Sequence, residues 1–225
     1  MSAWKHGVLC VVCGALLATP VWAREIVDRI VANVNGHILL QSDWDEELAF
    51  EAFLNARPVA SFTAEERKAA LDRLIDQELL REQVKPSENA SAEQLAGRLA
   101  EIRKLHKEAT TEELWRAALA HNGLTENELE KRLSADLQLM RLVEARLRPS
   151  IQIDAHAVES YYREHLLPEL QRAGSGEVPL PQVFGRIKDL LAEQKLNQLL
   201  ASWLASLRSE SRIQRPESNA GEQSR

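Results

Sequence analysis

The chain has 225 residues, 44% of them hydrophobic, and carries 28 Lys and Arg against 34 Asp and Glu, a formal net charge of −6. That acidic balance argues against nucleic acid as a main partner, because neutralising phosphates takes a cationic surface. The only two cysteines, Cys10 and Cys13, lie in the N-terminal apolar segment. Once that segment is removed, the chain has no disulfide, zinc-thiolate site or cysteine nucleophile.

The N-terminus has the three-part layout of a secretory signal. Lys5 and His6 give a basic start, Val8 to Ala18 an apolar run, Thr19-Pro20 a helix break, and Val21-x-Ala23 a cleavage boundary. Residues 1–23 are therefore expected to be removed. The apolar run is well short of the ~20 residues that span a bilayer. Neither cysteine follows the pattern of a lipoprotein cleavage site, so no membrane or lipid anchor is expected. The mature part keeps 27 basic and 34 acidic residues, a charge of −7. At roughly 200 residues it has room for one extended domain or a domain with a small appendage.

Ile26 to Val34 is rich in Ile and Val, Asn35-Gly36 suits the positive φ angles of a tight turn, and His37 to Leu40 returns, which predicts a β-hairpin. Everything after it reads as helix. Ser42-Asp-Trp-Asp45, Thr63-Ala-Glu-Glu66, Ser91-Ala-Glu-Gln94, Thr110-Thr-Glu-Glu113 and Thr125-Glu-Asn-Glu128 each place a hydroxyl at a cap and a carboxylate or amide three residues on. Five such starts predict five helices. Apolar stripes at helical spacing follow, as at Leu71, Leu74, Ile75 and Leu79 and again at Leu129, Leu133, Leu137, Met140 and Leu147.

Pro149 stops the fifth helix, and Asp154 caps a sixth that runs through Tyr161-Tyr162. The stretch from Pro168 to Pro181, with Gly174-Ser-Gly176 and three prolines, reads as the internal linker, and its body is taken as residues 167–179. Leu180 to Leu207 predicts a further long helix whose wide apolar face needs burial. The polar residues 215–225 read as a disordered tail.

Catalytic patterns are not evident. The mature histidines, His37, His106, His121, His156 and His165, have no helical metal-site spacing with a carboxylate, and there is no phosphate loop or Gly-x-Ser-x-Gly elbow. No catalytic residue, cofactor or metal is therefore assigned. The acidic group Asp43, Asp45, Glu46, Glu47 and Glu51 lies in and just past a helix's first turn, where the helix dipole favours it, so that reading is preferred to paired acid-base carboxylates. Arg141, Arg146 and Arg148 complement the C-terminus of the fifth helix in the same way. Trp115 and Trp203 are large anchors, suited to a core or to the rim of a peptide groove.

The segments Val27-Asp-Arg-Ile-Val-Ala-Asn-Val-Asn-Gly-His-Ile-Leu-Leu-Gln-Ser-Asp43 and Leu71-Asp-Arg-Leu-Ile-Asp-Gln-Glu-Leu-Leu80 resemble the opening of the SurA family of periplasmic chaperones. The likeness continues through Thr111-Glu-Glu-Leu-Trp-Arg-Ala-Ala-Leu-Ala-His-Asn-Gly123 and Arg148-Pro-Ser-Ile-Gln-Ile-Asp154 and reaches about His165. It implies a mainly α chaperone core with a small N-terminal hairpin at residues 24–166. A long C-terminal helix over residues 180–214 completes it, its last residues, Ser211 to Gln214, adding a strand beside the hairpin.

Typical members carry parvulin-type prolyl isomerase domains in the interval that is only a short Pro/Gly linker here, so no isomerase residues carry over. The function implied is an ATP-independent periplasmic holding chaperone for unfolded outer-membrane or secreted polypeptides. The client-binding candidates are Trp115, Leu137, Met140, Leu199 and Trp203, each also compatible with core packing. A scaffold dedicated to one partner and an isomerase with an undetected site are the alternatives.

Overall fold

The computed structural model describes residues 28–84 and 91–216. The expected signal segment, and the polar tail beyond Pro216, lie outside the described residues. The hairpin consists of β1 (Ile30–Val34) and β2 (His37–Leu40). Asn35 and Gly36 take φ of +53° and +98°, the double positive of a type I′ turn, whose twist matches that of the strands it joins. β1 and β2 pair antiparallel, with Val34 opposite His37 and Ala32 opposite Leu39. Val31 is a bulge between Ile30 and Ala32, and the extra residue is why Val31 and Ala32 are both buried where strict alternation would expose one.

Six helices follow in the expected order: α1 (Gln41–Leu54), α2 (Ala64–Arg81), α3 (Ala92–Leu105), α4 (Glu112–His121), α5 (Glu126–Leu147) and α6 (Ala155–Tyr161). Four of the expected caps are made as read. Thr63 Oγ accepts from Glu66 N at 3.2 Å while the Glu66 carboxylate accepts from Thr63 N at 2.7 Å. Thr125 and Glu128 repeat that box, Ser91 accepts from Gln94 N, and Asp154 accepts from Ala157 N at 2.7 Å. These bonds satisfy amides that the first turn of a helix leaves without partners.

Two starts differ. Thr111 rather than Thr110 caps α4, accepting from Leu114 N. α1 is entered straight from β2: the Leu40 amide donates to the Asp43 carboxylate at 2.7 Å, and Ser42, inside the first turn, is bonded by Asp28.

The expected linker at 167–179 is shorter in the structure. After α6 the chain passes through a π-helical turn at Tyr162–Leu166 and continues as α7 (Leu167–Arg172). Pro168 stands at the start of α7, where its missing N–H costs little, while the register upstream widens to the π form. The irregular stretch is therefore 173–179, begun by Gly174 at φ +64°. Tyr162 fastens it, donating its hydroxyl to Val178 O at 2.7 Å.

α8 (Leu180–Glu210) packs on α2, α5 and α6, and β3 (Ile213–Gln214) pairs antiparallel with β1, giving a sheet ordered β2-β1-β3. The first and last strands of the described residues thus share one sheet. Trp115, Phe53, Ile102, Leu119 and Leu129 centre a core among α1, α3, α4 and α5. The hairpin packs on Leu71, Ile75 and Leu79 of α2, with Leu207 and Ile213 closing over them. Arg208 holds α8 to α2 through Asp76, at 2.6 Å, and through the carbonyl of Asp72.

Candidate functional site

Trp115 is 1% exposed and sits against Phe53, with ring centroids 5.4 Å apart, and against His106. It is a core residue, a correction to its candidacy as a groove residue, because a side chain without accessible surface touches no ligand. Its indole N–H is buried without a partner, and the Arg103 guanidinium lies 4.8 Å from its ring. The other four candidates lie nearer the surface. Leu199 and Trp203 on α8 are partly buried in one seam, against Leu80, Val143 and Leu147 from α2 and α5. The Arg146 guanidinium covers the Trp203 ring at 4.6 Å, a contact that solvates one face of an otherwise apolar anchor. Leu137 is half-buried on α5, and Met140 is 59% exposed; neither belongs to that seam.

A larger concavity lies elsewhere. The C-terminal part of α1, the end of α3 and α4 enclose an open cleft of about 780 Å³. Ala49, Ala52, Ala56, Ala109 and Ala118 keep its walls thin, Phe53 forms part of the lining, and Leu105 stands beside it, 54% exposed. His106 is fixed there, stacked on Phe53 at 4.2 Å with Nε2 2.8 Å from the Phe53 carbonyl. Arg57, Lys107 and Glu108 bring charge to the lining, beside the polar side chains of His121 and Asn122. Apolar walls edged by a few polar groups suit a polypeptide side chain. The sequence carries one signal for this cleft, Ala49 and Ala52 on α1 followed by Ala56 just past its end, which is easily passed over as helix filler.

A second, smaller cleft of about 270 Å³ lies between the hairpin, α1, α2 and α5, and gathers His37, Asp43, Glu46, Glu47, Gln77, Arg81, Arg132 and Asp136. The dipole reading of the acidic group holds for Asp43, which bonds the Leu40 amide, but not for Glu47. Glu47 is 7% exposed and accepts from Gln77 Nε2 at 3.2 Å, with Arg132 at 3.7 Å. Burial pushes its carboxyl up, partly offset by the Gln77 bond. Burial and the nearby Glu47 charge push Asp136 up to about 6. Glu46 is paired with Arg132 at 2.6 Å and Glu51 with Arg73 at 2.5 Å.

No group of three or more His, Cys, Asp or Glu among the described residues is arranged to hold a metal ion. No described helix is long and apolar enough to cross a membrane. A search of curated proteins gives no match. The family model of the SurA-like N-terminal domain matches residues 10–143, from the N-terminal segment through the hairpin and most of α5. That match covers more than half of the chain, and the chain belongs to the SurA-like N-terminal domain family.

Proposed function

We propose that the protein is an ATP-independent periplasmic holding chaperone that binds unfolded outer-membrane or secreted polypeptides without isomerising their prolines. Membership of the family supports the class. The observation that carries the reading is the distribution of apolar surface over a helical frame closed by the pairing of β1 with β3. The alanine-walled cleft and the α5–α8 seam offer separated apolar patches, with Leu105, Leu114, Met140 and Leu190 exposed. Discrete exposed apolar patches on a polar surface are what an extended, unstructured chain can bridge. The absence of isomerisation rests on the seven-residue connection 173–179 between α7 and α8, far shorter than a domain of at least about 50 residues. Leu199 and Trp203 in the α5–α8 seam, and Leu137 and Met140 on α5 outside it, are the proposed client contacts.

The test is dilution of an unfolded β-barrel protein into buffer without nucleotide. Equimolar mature protein is expected to suppress light scattering, and Trp203→Ala to suppress it less, while proline isomerisation of a model peptide proceeds at the uncatalysed rate. No suppression at several-fold excess sinks the chaperone reading. Accelerated isomerisation sinks the non-enzymatic part of it.

A further inference from the structure

Asn35, at the tip of the hairpin, joins three parts of the chain. Its Nδ2 donates to both oxygens of Glu82, just past α2, at 3.1 and 2.9 Å, and to Ser211 Oγ at 3.1 Å. Its Oδ1 accepts from the Arg212 amide at 2.9 Å, and its own amide donates to the Arg212 carbonyl at 3.0 Å. A turn of this type needs only an asparagine able to adopt positive φ; it does not need these bonds. The same residue is followed by Gly36, whose lack of a Cβ leaves its amide nitrogen open to approach, and asparagine is among the thermolabile residues.

We propose that Asn35 is a deamidation site guarded by the docked C-terminal strand, and that its conversion undocks that strand. The reaction needs only water. The Gly36 nitrogen attacks Asn35 Cγ, the Cγ–Nδ2 bond breaks and ammonia leaves with the proton from Gly36. Water then opens the succinimide at either carbonyl, to aspartate or isoaspartate. In the docked state Nδ2 and Oδ1 are held by Glu82, Ser211 and Arg212, and the Gly36 amide is engaged by Asn33 Oδ1 at 2.9 Å. The side chain is therefore not free to turn toward the attacking nitrogen. After conversion the donor to Glu82 is gone and a carboxylate faces a carboxylate, a repulsion where the docked state had a bond. Isoaspartate also lengthens the turn backbone by one atom.

A second Asn-Gly pair, Asn122-Gly123, provides an internal control. It ends α4, with Nδ2 bonded to the Ala118 carbonyl, and has no bond to the C-terminal strand. The full mature chain and Arg208→Ala/Arg215→Ala, which removes the anchors on either side of that strand, from the end of α8 to Asp76 and from the residue after β3 to Asp72, are incubated at mildly alkaline pH and mapped by peptide mass spectrometry. The expected result is several-fold faster conversion of Asn35 in the variant, with Asn122 unchanged. Asn35→Asp is followed by hydrogen exchange, with faster exchange expected across residues 211–216 and none in α4. Equal rates at Asn35 in the two proteins, or acceleration of Asn35 and Asn122 together, overturns the guarding. Unchanged exchange of the C-terminal strand in Asn35→Asp overturns the undocking.

Discussion

The Asp136 carboxyl on α5 shares its cleft with Glu47 on α1. The cations nearest them are committed Arg132 mainly to Glu46 at 2.6 Å with Glu47 more distant at 3.7 Å, and Arg81 to Glu78, so they offset only part of the burial. Asp136 is raised from 3.8 to about 6, by burial first and by the Glu47 charge second. A raised carboxyl means that the folded protein holds the proton more tightly than the unfolded chain. Its stabilising contribution is fully present below about 3.8 and is lost as pH climbs through about 6. Glu47 acts in the same direction. Asp136→Asn removes the titrating group, so denaturant unfolding measured from pH 4 to 7 is expected to give a flatter profile than the parent and higher stability at pH 7. An unchanged slope in that window would mean that Asp136 is solvated like a surface carboxylate.

This joint was not legible in the sequence, because Glu47 and Asp136 are 89 positions apart and each looks like the polar face of its own helix. The same blindness applies to the two tryptophans. Both sit on helices with an apolar face, yet Trp115 is sealed in a cluster drawn from α1, α3, α4 and α5 while Trp203 is only partly buried, a difference set by the packing and not by local pattern.

Helix starts were the most legible elements, because a cap is local chemistry: the hydroxyl and the carboxylate that complete it lie three residues apart in the chain. The discrepancy at α4 is instructive. Thr110 and Thr111 both precede the helix, and the sequence alone does not say which adopts the extended cap conformation. In the structure Thr111 does, at φ −120° and ψ 162°. Thr111→Ala is therefore expected to cost about 1 kcal/mol, and Thr110→Ala only a few tenths, in chemical denaturation. The reverse order would move the helix start by one residue.

The segment that follows α6 is less legible, for the opposite reason. In sequence its prolines and glycines together read as linker, but Pro168 sits in the first turn of α7, which tolerates it, whereas Gly174 takes the left-handed φ that ends the helix. The rule that separates them is position relative to a helix start. That start is itself hidden in the continuous run from Ala155 to Arg172.

At the scale of the whole molecule, the wide apolar face of the last helix is a legible demand for burial, and the structure answers it with three contacts. The first half of α8 puts Ile187 against Val158 and Tyr162. The second half puts Leu196, Leu199, Leu200, Trp203 and Leu204 against Leu80, Val143 and Leu147. Leu207 and Ile213 then cover the hairpin cluster. A large apolar side chain contributes ~1.5 to 3 kcal/mol when fully buried. Even at half that value, five or six such side chains rival the net stability of a domain, about 5 to 15 kcal/mol. The Trp115 cluster is built without α8, but the apolar faces of α2, α5 and the hairpin are covered by it. Deleting everything after Gly176 also removes β3 and the Arg208–Asp76 ion pair. The resulting fragment is expected to aggregate or to melt without a cooperative transition by calorimetry and circular dichroism. A separate peptide spanning residues 180–216 is expected to restore part of the transition, because its partners on α2, α5 and β1 are still present. A fragment that instead unfolds in one sharp transition at the temperature of the full mature chain would make α8 an appended arm and leave the shared sheet without energetic weight.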